Sequence, residues 1–166
     1  KAIKGALSLN TTLWKTIQSK LSCIIVHNNA DIPSGDIFGN YAGQISWSKR
    51  NLLRQYNLKL ESTLLSGVTI FDFDNIASNF GYKRWIDLRY WYHSKHAFAF
   101  DAYSLVAFRF SKLVSGIKGK AKKCLILDLD NTLWGGIIGD DGISGIKLGN
   151  GADGEAFIDF QKYILS

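Results

Sequence analysis

The chain has 166 residues, of which 46% are hydrophobic and 13% aromatic, a composition that supports a packed core and excludes a disordered protein. The formal charge is +6, but the basic residues are spread along the chain, so we expect no nucleic-acid partner. The sequence has no apolar run of about 18 residues and no signal-peptide pattern, so we expect a cytoplasmic protein with no membrane partner.

The first part of the chain predicts a helix, a strand and a second helix. Apolar residues recur at helical spacing over residues 9–21. The short β-branched run 23–26 predicts a buried strand, and a turn-rich polar loop follows it. A second helix is predicted over residues 48–65, with Gly67 ending it.

The middle of the chain continues the alternation of strands and helices. Residues 68–73 predict a second strand, and residues 74–80 predict a short helix with Asp74 as its cap. An aromatic stretch follows, which we interpret as core packing. A further helix is predicted over residues 101–113, capped by Asp101.

A basic, glycine-containing segment, residues 118–123, precedes one more apolar run, Cys124-Leu125-Ile126-Leu127, which predicts a third buried strand. The alternation indicates an α/β fold with a mainly parallel sheet and helices on both faces. We therefore predict a first domain over residues 1–117, a linker over 118–123 and the beginning of a second domain over 124–166.

Cys23 and Cys124 are the only cysteines, and each lies in an apolar run. Two buried thiols in a chain of this length are typical of a reducing compartment and do not indicate a disulfide framework. We therefore expect two buried, unpaired thiols.

The most informative segment is residues 123–136, KCLILDLDNTLWGG, in which two aspartates follow an apolar strand. Ligands of open α/β sheets bind beyond the carboxyl ends of the strands, and side chains two apart point the same way. Asp128 and Asp130 can therefore face one pocket, where Mg²⁺ would offset their mutual repulsion. One carboxylate can attack phosphorus while its neighbour acts as the general acid and base.

This segment resembles the first motif of the haloacid dehalogenase (HAD) superfamily, an apolar strand followed by Asp-x-Asp-x-Thr-Leu. The continuation through residues 137–157 is similar to the FkbH-like branch of that superfamily, as are shorter pieces upstream such as Asp74-Asn75-Ile76-Ala77. The upstream pieces are much less specific than the stretch from Lys123 onward.

The resemblance implies a three-layer α/β/α domain like that of SGNH hydrolases, followed by the start of a HAD-like Rossmannoid catalytic domain. It implies Asp128 as nucleophile and Mg²⁺ ligand, and Asp130 as acid/base that also offers its backbone carbonyl to the metal. It implies Asn131 and Thr132 as substrate-binding residues. The substrate would be a phosphorylated small molecule. Some FkbH-like proteins transfer a glyceryl unit from 1,3-bisphosphoglycerate to an acyl carrier protein, and others that accompany polyketide or polysaccharide biosynthesis look like phosphatases.

The superfamily also uses a Ser/Thr, a Lys and further acidic ligands on later strands, and residues 1–166 contain none of these motifs. We therefore expect the 166-residue chain by itself to be inactive. The alternative hypothesis is a non-catalytic module that docks an acidic acyl carrier protein through its basic charge.

Three weaker signals favour ordinary structural roles. His96 lies where SGNH hydrolases keep a catalytic histidine, but His93 stands where they place an aspartate, so esterase activity is not expected. His27-Asn28-Asn29 and Asn40 could line a pocket or simply form turns. Asp72 and Asp74 form a second Asp-x-Asp pair without the continuation seen at Asp128, and we interpret Asp74 as a helix cap.

Overall fold

A computed structural model describes all residues, 1–166, and divides the chain into two compact units, Lys1–Lys120 and Ala121–Ser166. The first unit contains α1 (Ala2–Lys20), β1 (Ile25–Asn28), α2 (Lys49–Glu61), β2 (Val68–Phe71), α3 (Phe73–Phe80), α4 (Tyr82–Trp85), α5 (Leu88–Ser94) and α6 (Tyr103–Ile117), with 3-10 turns at Gly39–Gln44 and Phe100–Ala102. The second unit contains α7 (Ile138–Gly145) and α8 (Glu155–Leu165).

The sheet of the first unit consists of β1 and β2, which pair in parallel with Ile25 opposite Val68 and Asn28 opposite Phe71. Parallel neighbours need a crossover connection, and α2 lies within it. This strand–helix–strand arrangement confirms an α/β fold with a parallel sheet. Three-layer packing and likeness to SGNH hydrolases stay predictions.

Two apolar clusters form the core of the first unit. One gathers buried side chains from α1, β1, α2 and β2: Leu7, Trp14, Ile25, Leu60 and Val68. The other gathers side chains of α3, α4 and the second 3-10 turn: Ile76, Ala77, Trp85 and Ala102. The aromatic stretch contributes Trp85 and Phe98 to the second cluster, where the two rings stack with centroids 5.2 Å apart.

The first strand lies two residues later than predicted, over Ile25–Asn28 instead of 23–26. Pairing decides this boundary, because Ile25 is the first residue with a partner on β2 and is buried beneath α1 and α2. Cys23 therefore precedes the strand and is exposed, and Cys124 is exposed as well. The expectation of two buried thiols was wrong.

Two predicted helix caps were also wrong. Asp72, not Asp74, caps α3, and its carboxylate accepts a hydrogen bond from the Asn75 backbone N–H at 3.1 Å. Helix α6 begins at Tyr103 without a side-chain cap, because the 3-10 turn over Phe100–Ala102 takes up Asp101 before the α-helix starts.

The predicted strand over residues 124–127 does not form, and Cys124, Leu125 and Ile126 are exposed there. A strand requires a neighbour to pair its backbone groups, and β1 and β2 are the only strands in the molecule. The second unit offers only two isolated bridges, Asp130 with Trp134 and Gly135 with Lys147, and neither involves the apolar run.

Candidate functional site

The two aspartates of the motif lie in an irregular segment of the second unit, residues 128–136, which we call the aspartate loop. Asp130 is half-buried, and its Oδ1 accepts hydrogen bonds from the Trp134 indole Nε1 at 3.0 Å and from the Ile138 backbone N–H at 3.2 Å. These two bonds hold one oxygen of the carboxylate in place and tie the loop to the start of α7.

Asp128 is exposed, and its Oδ1 accepts a hydrogen bond from the backbone N–H of Leu129 at 2.9 Å. Its second oxygen, like the second oxygen of Asp130, accepts no hydrogen bond from the protein. Each carboxylate therefore has one oxygen engaged by the fold and one oxygen free to meet a cation or a substrate.

Asn131 and Thr132, the predicted substrate-binding residues, are both held by the loop. Asn131 has a left-handed backbone with φ of 53°, which asparagine tolerates better than most residues, and its Oδ1 accepts the Gly136 N–H at 2.9 Å. The backbone N–H of Thr132 donates to the Leu129 carbonyl at 3.2 Å. The Asn131 side chain thus closes the loop, and its role toward a substrate stays a prediction.

Asp141, in α7, contacts the end of the aspartate loop and is not among the predicted site residues. Its Oδ2 accepts the Ile137 N–H at 2.8 Å, and a Cβ built on Gly136, whose φ is 98°, would lie 2.8 Å from the same oxygen. Glycine suits this position, because residues with a side chain rarely adopt such a φ and a Cβ would displace the Asp141 carboxylate. The run Gly139-Asp140-Asp141-Gly142 was a visible signal for an acidic partner at this position.

A cavity of about 350 Å³ adjoins the aspartate loop, and its lining is mainly apolar: Leu127, Leu133, Trp134, Leu148, Gln161, Ile164 and Leu165. The Gln161 amide closes one side by donating to the Leu133 carbonyl at 2.6 Å. Neither Asp128 nor Asp130 lines this cavity, so it can receive apolar groups but offers no carboxylate to a cation.

The chemistry of the donors allows a divalent cation at the loop. No group of three or more His, Cys, Asp or Glu side chains is arranged to hold a metal. Mg²⁺, however, commonly uses one or two carboxylates and completes its octahedron with water and substrate phosphate oxygens. The free oxygens of Asp128 and Asp130 are ligands of the chemical type that such a site uses.

The histidines near the aromatic stretch form no catalytic triad. His93 is exposed, whereas His96 is half-buried. The His96 ring stacks on Tyr90 with centroids 5.9 Å apart and lies edge-on to Phe100 with centroids 4.8 Å apart. The His96 Nδ1 has no hydrogen-bond partner, so neither a serine nor a carboxylate is positioned against it.

Comparison with known proteins gives one informative relationship. No protein-family profile matches the sequence, and no curated protein matches it. Among solved structures, the chain is similar to the N-terminal part of a Bacteroides fragilis protein that contains a phosphatase domain and was crystallised in complex with Mg. The TM-score is 0.76 and the sequence identity 28% over 95% of this chain.

The present chain spans 43% of that Bacteroides chain, so it corresponds to less than half of the region solved there. The likeness extends over both compact units, because it covers nearly all of residues 1–166. It supports a relationship to a phosphatase-domain protein of the kind that the aspartate motif predicts. It does not address the FkbH-like or SGNH-like details.

No helix of the chain combines the length and the apolar character that crossing a membrane would require. The longest helix, α1, has 19 residues but contains the charged residues Lys4, Lys15 and Lys20.

Proposed function

We propose that the chain is part of a Mg²⁺-dependent phosphoryl-transfer enzyme of the HAD type, with Asp128 as its nucleophile. One observation carries the proposal: the segment KCLILDLDNTLWGG occurs in a chain whose fold resembles the N-terminal part of a protein with a phosphatase domain complexed with Mg. The motif is local, whereas the structural likeness covers 95% of the chain and therefore extends well beyond the motif.

The free oxygen of Asp128 attacks the phosphorus of a phosphorylated small molecule, so that an O–P bond forms at the carboxylate and the bond to the leaving group breaks. Asp130 protonates the leaving oxygen and then removes a proton from the water or acceptor that releases the phosphoryl group. Mg²⁺, held by Asp128 and Asp130, would supply charge neutralisation at the phosphoryl oxygens.

The contacts of Asp130 suit the acid/base role. Trp134 and the Ile138 N–H hold one of its oxygens, which orients the carboxylate without blocking the other oxygen. A catalytic group must keep one orientation through two proton transfers, and two hydrogen bonds to the same oxygen restrict its rotation. Asn131 and Thr132 are proposed to bind the phosphorylated substrate beside it.

A narrower proposal is that the whole enzyme belongs to the FkbH-like branch, in which the first unit is an SGNH-hydrolase-like domain. Its reaction would then be either phosphatase chemistry or transfer of a glyceryl unit from 1,3-bisphosphoglycerate to an acyl carrier protein. The support is the similarity of residues 137–157 and the upstream pieces to that branch.

The test compares single substitutions in the protein that contains this chain together with the rest of its catalytic domain. Asp128→Asn removes the nucleophile, so Mg²⁺-dependent release of phosphate from phosphomonoesters should fall at least about a thousandfold. Asp153→Asn is the matched control, because Asp153 is exposed and contacts only Lys147, at 3.8 Å, and its activity should stay unchanged. Equal activity in both variants would exclude Asp128 as the nucleophile.

The 166-residue chain by itself should release no phosphate in the same assay, because the Ser/Thr, Lys and later acidic motifs of the superfamily are not among its residues. Robust Mg²⁺-dependent turnover by this chain that disappears in Asp128→Asn would show that the later motifs are dispensable.

A further inference from the structure

The first unit contains a second concave surface, which we call the basic cavity, with a volume of about 680 Å³. Four cationic side chains line it: Arg50 and Arg54 from α2, and Lys83 and Arg84 from α4. Ser34 and Tyr82 supply further polar groups, and no carboxylate belongs to the lining. Cavities of this size are typical of sites for small molecules.

The cavity lies at the carboxyl ends of the parallel strands. The chain leaves β1 at Asn28, and the following loop is fastened to α2 by a pair of hydrogen bonds between Ala30 and the Asn57 amide, at 2.9 and 2.7 Å. Helix α2 returns toward the start of β2, so its first turns, with Arg50 and Arg54, lie at the carboxyl edge. This is the edge at which α/β sheets bind ligands.

The four cations have no acidic partners within the molecule. The three ion pairs join Arg89 to Asp87, Lys147 to Asp153 and Lys162 to Asp159, none of which lines the cavity. Arg50 makes only a long contact, from Nη2 to the Ser34 carbonyl at 3.4 Å, and the Arg84 guanidinium lies 4.7 Å from the centre of the Phe80 ring. Their hydrogen-bonding capacity is therefore largely unused.

Two acids that adjoin or bond to residues of the lining, Asp31 and Asp74, are engaged by the fold. Asp74 Oδ1 accepts the Ile32 backbone N–H and the Tyr82 hydroxyl, both at 2.9 Å. Asp31 Oδ2 accepts the Trp85 indole N–H at 3.0 Å. These bonds position Ile32 and Tyr82, which line the cavity, and Trp85 beside them, while neither carboxylate belongs to the lining.

Three of the four cations are arginines, whose planar guanidinium groups can donate two parallel hydrogen bonds to the oxygens of a phosphate. Like charges gathered around one cavity repel each other, and a multiply charged anion relieves that repulsion. We propose that the basic cavity binds a phosphate group of a phosphorylated small molecule. The proposal is independent of the chemistry at Asp128, because every residue that carries it belongs to Lys1–Lys120.

The experiment uses inorganic pyrophosphate as the probe, titrated into the 166-residue chain with EDTA present, and follows backbone amide signals by NMR. We expect saturable shifts at Ser34, Gly81, Tyr82 and Lys83. Arg50→Gln/Arg54→Gln should raise the Kd at least about tenfold, because each lost charge-assisted hydrogen bond is worth that order of affinity. Lys83→Gln/Arg84→Gln provides a second variant that removes charge from the other wall.

The matched control is Arg109→Gln/Lys112→Gln, which removes the same charge from exposed positions on α6 and should change the Kd by less than about twofold. Asp128→Asn should leave binding unchanged. Equal weakening in the control, shifts centred away from the cavity, no saturation at millimolar pyrophosphate, or tighter binding of an acidic peptide to the same residues would each overturn the proposal.

Discussion

At the scale of single residues, Asp74 joins more parts of the first unit than any other carboxylate. Its Oδ1 accepts the Ile32 N–H from the loop after β1 and the Tyr82 hydroxyl from α4, while its own backbone N–H donates to the Asn29 amide oxygen at 3.1 Å. Burial, followed by the hydrogen bond to Asp74, raises the pKa of Tyr82 above its ordinary value of 10.0. One side chain thus fixes three segments around the basic cavity.

Asp74→Ala should therefore lower the free energy of unfolding by roughly 1–3 kcal/mol, because two donors lose their acceptor. Asp74→Asn keeps an oxygen at the same position and should lose less than about 1 kcal/mol. Urea unfolding of both variants measures the difference. If both variants lost the same stability, the negative charge would matter and the hydrogen-bond geometry would not.

His27 is a titratable residue against the core of the same unit. Its ring lies edge-on to Trp14 with centroids 5.1 Å apart, and its Nε2 lies 3.5 Å from the Asn10 amide nitrogen. Burial lowers the pKa of His27 below its ordinary value of 6.5, because the apolar surroundings disfavour the charged ring.

The sign of the pH effect follows from this shift. Below pH 6.5 the unfolded chain takes up a proton that the folded chain resists, so stability should fall as the pH decreases through the folded pKa. His27→Gln should flatten the fall in unfolding free energy between pH 7 and about 5, whereas His93→Gln, at an exposed position, should not. Parallel pH profiles for wild type and His27→Gln would contradict this assignment.

At the scale of elements, α2 shows how a predicted helix acquires its boundary. Ser48 is 1% exposed, accepts the Asn51 N–H at 3.3 Å and donates to the Ala42 carbonyl at 2.8 Å. The hydroxyl therefore caps the helix and also anchors the preceding 3-10 turn. Because both arginines of α2 that line the basic cavity lie in its first two turns, the same cap helps to place them.

Ser48→Ala should cost about 1–2 kcal/mol of stability, since it removes the cap and leaves the Ala42 carbonyl with fewer donors in a buried place. Ser62→Ala, at the other end of α2, is exposed and should change stability by less than about 0.5 kcal/mol. Thermal unfolding compares the two variants. A Ser48→Ala protein as stable as wild type would show that the cap is dispensable.

The segment 124–127 shows where element prediction failed. A short apolar run of this kind is typical of a buried strand, yet Ile126 is 90% exposed and the segment has no partner strand. The sequence pattern predicts a strand from its side chains, but a strand forms only when its backbone N–H and C=O groups pair with a neighbouring strand. The aspartates that follow therefore lie in a loop held by Trp134, Asn131 and Asp141, and the predicted motif residues depend on that loop for their positions.

At the scale of the whole molecule, the two compact units differ in charge. Lys1–Lys120 contains sixteen Lys and Arg against seven Asp and Glu, whereas Ala121–Ser166 contains four against seven. The chain's charge of +6 therefore combines a basic unit of +9 with an acidic unit of −3. The net charge of the whole chain therefore does not reveal the unpaired cations of the basic cavity. It also does not reveal the acidic character of the unit that contains the aspartate loop.

Limited digestion with trypsin tests the predicted linker, residues 118–123. Helix α6 ends at Ile117, and the lysines that follow are exposed in irregular structure. We expect the first cuts after Lys118, Lys120, Lys122 or Lys123, because an exposed, irregular segment fits into the active site of a protease most easily. Replacing these four lysines with glutamine should slow the first cut. Early products cut inside residues 1–117 would place the flexible boundary elsewhere.

The sequence by itself determined the periodicity of the longer helices, the parallel α/β class of the first unit and the motif at Asp128, because these depend on neighbours along the chain. The tertiary structure decided the start of β1, the cap of α3, the exposure of Cys124 and the meeting of Arg50 with Arg84 at one cavity. Such features depend on pairing and packing between residues far apart in sequence, and a local sequence pattern does not identify the distant residue that each one contacts.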